Sequence, residues 1–261
     1  MRRSRLPFVV TAAVLVFFYL PIAILVVNSF NASRFGGSWQ GFSLKWYARL
    51  LHEPEIWTAA RNTLLIASTV TAVSLVLGTC SALALHKFAK SRLQRAHYLL
   101  IYTPLVVPEI LMGISLLMAF VAAGIHLGLF TIFLAHVTFC ISFVALVVLA
   151  RLQDFDDAII EAAQDLGAGW WAVTRRVLLP MLVPGLAAGG LLAFTLSVDD
   201  FVITFFVAGP GSTTLPIRVY SMIKHGATPL INALSTILLV LTFTTVTVSQ
   251  RLSRSPLREG T

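Results

Sequence analysis

Six apolar runs, at 6–28, 62–85, 98–123, 127–150, 182–208 and 231–249, divide this chain of 261 residues. Each is close to or above the roughly 20 residues that cross a hydrocarbon core about 30 Å thick. Runs of this length that are apolar on every face need lipid as solvent, and in lipid a helix satisfies its own backbone polar groups. Composition agrees: 57% of residues are hydrophobic and 11% charged, far from the usage of soluble domains. The expected fold class is an all-α membrane protein with six transmembrane helices, a single transmembrane domain over 1–261 with little chain left for anything soluble. The first run follows Arg2, Arg3 and Arg5 as a signal peptide would, but it is too long and lacks a small-residue cleavage site, so it reads as a retained span.

An even number of spans puts both termini on one side. With the termini inside, the inner face holds Arg2, Arg3, Arg5, Lys87, Lys90, Arg92, Arg95, Arg151, Arg175, Arg176, Arg251, Arg254 and Arg258, against Arg34, Lys45, Arg49, Arg61, Arg218 and Lys224 outside. Cationic loops favour the cytoplasm, so a multi-pass protein of the cytoplasmic (inner) membrane is predicted, with both termini cytoplasmic. The net charge of +8 then needs no nucleic acid as partner. The basic segment 86–95 is a short turn between spans, where it meets anionic lipid headgroups.

The first outer segment, 29–60, carries Trp39, Trp46, Tyr47 and Trp57 and reads as interfacial, lying along the membrane surface. The second, 209–230, contains Gly209-Pro210-Gly211 and Pro216, which force a turn and offer a contact to an external partner. Cys80 and Cys140 lie in apolar runs without His or Cys at metal-ligand spacing and read as small packed residues.

The inner loop 151–181 is helix-forming throughout. Asp156 suits an N-cap, Asp157 the first turn and Gly167 a left-handed C-terminal cap. A second short helix is predicted from about 170 to 179, ended by Pro180. Within this loop stand Glu161-Ala162-Ala163, three residues that include Asp165, then Gly167, nine residues, and Val177-Leu178-Leu179-Pro180. The spacing resembles the EAA loop of ABC importer permeases: EAA, three residues, G, nine residues, I, one residue, LP. Val177 stands where Ile is usual. The resemblance implies a type I ABC importer permease-like fold whose two-helix coupling loop inserts its first helix into a groove on a cytoplasmic ATPase. The residues suit such a seat, since Ala162 and Ala163 allow close approach, Gly167 allows a bend and Glu161 offers an anion to a basic group. No phosphate-cradling P-loop motif occurs, so no catalytic role and no cofactor are expected in this chain. ATP and Mg belong on the partner ATPase, and this chain turns their work into rocking of helical bundles with alternating access.

Three acids fall inside apolar runs: Glu109, Asp199 and Asp200. Charge there is costly and marks a functional site by default. None has a basic partner in its own run. Asp199 lies 17 residues beyond Leu182, about 26 Å along a helix, near the outer third of the membrane. Glu109 follows Pro108 near the middle, where a broken helix exposes carbonyls to a cavity. Carboxylates along a path favour a cation. Asp199 and Asp200 suit interfacial hydrogen bonding or capping of a broken helix as well, and Glu109 an isolated structural role. His136, in the fourth run, reads as packed and hydrogen-bonded.

Further stretches extend the likeness: 27–36, 39–42, 45–47, Phe194-Thr195-Leu196-Ser197-Val198-Asp199-Asp200-Phe201, Gly209-Pro210, Leu215-Pro216, 220–224 and 231–237. Over about 19–250 the chain resembles the permease subunits of spermidine/putrescine ABC importers, of the C-subunit type. That resemblance implies a polyamine substrate, a second permease subunit, two copies of a cytoplasmic ATPase and an external polyamine-binding protein as partners. The acidic pair matches the family's doublet. Another small solute, such as an amino-acid-like or opine compound, is the alternative cargo, because related permeases share the loop. A secondary cation transporter or channel also suits six spans with buried acids but leaves the loop unexplained. An intramembrane enzyme would need a motif such as HExxH or GxSxG, which is absent.

Overall fold

Apolar periodicity resolves into helices throughout the described residues. The structure, a computed structural model, describes residues 6–34, 38–87, 92–153, 158–224, 226 and 229–253. In chain order the helices are α1 (Leu6–Ser29), α2 (Lys45–Leu51), α3 (Pro54–Lys87), α4 (Arg92–Val106), α5 (Glu109–Ala122), α6 (Leu129–Gln153), α7 (Ala158–Asp165), α8 (Trp170–Val173), α9 (Leu179–Asp199), α10 (Val202–Val207), α11 (Leu215–Lys224) and α12 (Pro229–Ser253). Among the described residues four segments are long and apolar enough to cross a membrane: α1, α3, α6 and the continuous stretch Trp170–Asp199. The pair Leu93–Val106 and Glu109–Ala122 passes that test together, and α12 contributes a shorter apolar stretch, Pro229–Thr244. The architecture is compatible with six crossings. Asp156 and Asp157, with Arg2, Arg3, Arg5, Lys90, Arg254 and Arg258, lie outside the described residues.

Two boundaries differ from those the sequence predicts, and the third run breaks at the proline the sequence marks. The third run is not one helix, because α4 and α5 meet at an angle of 112°. Pro108 has no N–H and biases Val107 away from helical geometry, so the ladder stops there. The fifth run ends as a continuous helix at Asp199, with α10 a separate short helix. At its other end Pro180 does not terminate the second loop helix. A π-helical turn at Thr174–Leu178 precedes it, and the helix continues into α9. A proline inside an α-helix clashes with the carbonyl four residues earlier, and the wider turn relieves that clash.

Contacts divide the chain into two units, Trp57–Arg218 and the terminal segments Met1–Ile56 with Val219–Thr261. In the first, α6 is the central element, buried at residues spread over its whole circumference from Thr131 to Leu152. A helix without an amphipathic stripe belongs inside a bundle. α3 approaches it at Gly78, where a Cβ would stand 2.8 Å from the Val144 side chain, the small-residue contact by which membrane helices draw together. Segment 209–214 is tied to the start of α3, as Asn62 Nδ2 donates to the carbonyls of Gly211 (3.3 Å) and Thr213 (3.0 Å).

In the terminal unit α12 packs against α1 and α2. Buried Asn31 organises the connection before α2: Nδ2 donates to the Ser38 carbonyl at 2.8 Å, and Oδ1 accepts from Ser33 and Gln40 backbone N–H groups at 3.0 and 2.9 Å. Trp46 Nε1 donates to the Asn31 carbonyl at 2.8 Å. Trp46 is therefore buried within the fold, whereas Trp39 and Trp57 are exposed.

Candidate functional site

Two interrupted helices meet at one cavity of about 370 Å³. Pro108, with φ −56° and ψ 136°, precedes α5, and Glu109 occupies its first turn, where the helix dipole favours an anion. On the other side, Asp200 stands between α9 and α10 with φ −62° and ψ 121°. The cavity is lined by Glu109, Asp199 and Asp200 together with Phe139, Phe143 and Phe201. The three acids that the sequence isolates within apolar runs thus converge, from helices some 90 residues apart in the chain. Glu109 and Asp199 are exposed and form no ion pair among the described residues.

Asp200 is placed differently. Its Oδ2 accepts the Thr204 backbone N–H at 2.8 Å and the Thr204 hydroxyl at 2.6 Å, and Oδ1 accepts the Ile203 N–H at 3.4 Å. The two backbone N–H groups are orphan donors of the first turn of α10, so Asp200 caps the broken helix. His136 on α6 completes the arrangement, with Nε2 3.2 Å from Asp200 Oδ2 and 2.9 Å from Thr204 Oγ1, and Nδ1 2.8 Å from Ser197 Oγ. A basic partner for Asp200 does exist, 64 positions away in sequence. The signal that points to it is a histidine inside an apolar span, a functional indication in its own right.

The loop residues form a second cluster at the other end of the same helix. α7 contains Glu161, Ala162, Ala163 and Asp165 and buries none of its residues. Gly167 has φ +83°, Ala168 N–H donates to Ala163 O at 3.0 Å and Gly167 N–H to Gln164 O at 2.8 Å. This is the Schellman pattern, for which a left-handed residue is required at the position of Gly167. Beyond the bend, Leu178 is packed in the core, Val177 is partly covered, and Leu179 and Pro180 are exposed. The Lys87 ammonium lies 4.3 Å from the centre of the Trp170 ring and ties α3 to α8. From Trp170 to Asp199 the helix runs 30 residues, about 45 Å at 1.5 Å per residue, so a single rod joins the bend at Gly167 to the break at Asp200.

Residues 74–255 match the family model described as the binding-protein-dependent transport system inner membrane component. The chain belongs to this family. It is a multi-pass permease subunit of an ABC importer in the inner membrane, a transport component and not an enzyme. The permease is 41% identical over 251 residues to the spermidine/putrescine transport system permease protein PotC of Escherichia coli (strain K12), covering 95% of this chain and 94% of the relative. It is 43% identical over 229 residues to the putrescine transport system permease protein PotI of the same strain, covering 85% and 82%. Its fold is shared with the crystal structure of a bacterial ABC transporter involved in the import of the acidic polysaccharide alginate, with a TM-score of 0.74 and 18% identity over 96% of this chain and 98% of that one.

Proposed function

We propose that the permease carries polyamines such as spermidine and putrescine inward, with the acid-lined cavity as part of the path. The observation that supports this reading most is the convergence of Glu109, Asp199 and Asp200 with three phenylalanines on one cavity between two helix breaks. A polyamine is a string of ammonium groups joined by methylenes. Carboxylates take the ammonium groups by charge-assisted hydrogen bonds, and aromatic faces take the methylenes and the cation–π contact. Asp200 is engaged by Thr204 and His136, so Glu109 and Asp199 are the carboxylates that meet cargo. The shared fold alone does not set the cargo, because the alginate importer has it too; the acids argue for a cation.

The drive comes from the loop. α7 is only eight residues long, and apart from the half-buried Ile160 and Ala163 its side chains are exposed; so short a helix is marginal without a partner surface. We assign that surface to a cytoplasmic ATPase, present in two copies, which holds ATP and Mg. Glu161 meets a basic group there, and closure of the ATPase is passed through the bend at Gly167 and along α9 to the break beside the cavity. A related permease completes the membrane path, and an external polyamine-binding protein delivers cargo. Both termini face the cytoplasm. Single cysteines at Ser38 and Ala168 will then label from opposite sides of the membrane, and labelling from one side contradicts the topology.

Cells expressing the complete transporter will take up radiolabelled spermidine, and excess unlabelled putrescine will suppress that uptake while neutral amino acids will not. Uptake competed by amino acids and indifferent to polyamines would overturn the cargo assignment.

A further inference from the structure

We propose that His136 is a positioning residue for the transport site, holding the break between α9 and α10 so that Asp199 presents its carboxylate to the cavity. The inference rests on the reading of Asp199 as a cargo-facing group. The imidazole is 1% exposed, and its hydrogen bonds reach Ser197 before the break, Asp200 at the break and Thr204 after it. A carboxylate only accepts, and the Thr204 hydroxyl donates its proton to Asp200 Oδ2, so Nε2 is the donor to both. Nδ1 lies 2.8 Å from the Ser197 hydroxyl, so the one ring bonds all three partners. Thr131, five residues earlier on α6, donates to the Val207 carbonyl at 2.7 Å. One helix therefore clamps both ends of α10.

The clamp is needed because the local sequence does not fix the break. Pro108 interrupts α4 and α5 by itself, whereas residues 197–204 contain neither proline nor glycine and nothing in them forbids a continuous helix. The extended ψ of 121° at Asp200 is held by its side-chain bonds, and the direction of the adjoining Asp199 follows from that backbone. His136 touches no cargo; it acts through Asp200 on Asp199.

The test uses the complete transporter in cells and the apparent KM and maximal rate for radiolabelled spermidine. His136→Phe keeps a ring of similar size and removes all three bonds; His136→Gln keeps an N–H donor near the place of Nε2. His136→Phe is expected to raise KM about tenfold, the scale of losing hydrogen bonds to a charged group, with a smaller change in maximal rate, and His136→Gln to recover much of the loss. In an Asp199→Asn background His136→Phe should add little, because the two act on one interaction. Asp199→Asn raising KM while an assembled His136→Phe transporter keeps it unchanged overturns this proposal alone, as do fully additive effects. Asp199→Asn without effect overturns the reading of Asp199, and this proposal with it. If His136→Phe does not accumulate in the membrane, Ser197→Ala and Thr204→Val, each removing one partner of the imidazole, carry the same comparison.

Discussion

Asp199→Lys is expected to reduce polyamine uptake by the complete transporter about a hundredfold or more, the consequence of placing like charges together. Asp199 ends α9, is exposed, and lines the same cavity as Glu109. A lysine there repels an ammonium group and offers Glu109 an internal partner, removing two attractions at once. Asp199→Asn removes one attraction and should act in the same direction more weakly, and Asp199→Glu should retain most uptake. Because the side chain is not packed in the core, the permease should still reach the membrane and assemble. Uptake kinetics and the yield of purified complex measure the two effects separately. Unchanged kinetics in Asp199→Lys would remove this residue from the path.

Gly167→Pro should abolish ATP-driven uptake while leaving the chain in the membrane. Gly167 has φ +83°, and proline is locked near −65°. The substitution also deletes the N–H that Gly167 donates to the Gln164 carbonyl, so both the turn and its closing bond are lost. Nothing lies within 4 Å of a Cβ built at Gly167, so crowding is not the issue. Gly167→Ala meets only the left-handed penalty, about 1–2 kcal/mol, and should keep substantial uptake. Glu161→Ala added to Gly167→Pro removes the proposed anionic contact as well. The readouts are uptake and the stimulation of ATP hydrolysis by the loaded binding protein. Normal uptake by the double variant would sink the coupling role of the loop.

Much of this was legible in sequence because bilayer constraints are local. The spans follow from apolar runs, the sharp α4–α5 bend from Pro108, and the glycine bend from the position of Gly167 after a helical segment. What was not legible depends on partners far along the chain. The break at Asp200 has no local breaker and is held by His136 across 64 positions. The burial of Trp46 shows only once the Asn31 carbonyl that takes its indole N–H is known. Pro180 reads as a stop signal, and only the π turn ahead of it lets the helix run from Trp170 to Asp199. That continuity gives the loop and the acids a mechanical connection that neither motif reveals alone.

ATP-driven polyamine import is tested by accumulation of radiolabelled spermidine in proteoliposomes containing the complete transporter, with ATP supplied on the ATPase side and the loaded binding protein on the other. The expected result is uptake against a gradient that needs ATP hydrolysis and is lost in both Asp199→Lys and Gly167→Pro. Spermidine flux that proceeds without ATP, or ATP-driven flux that survives both substitutions, contradicts it.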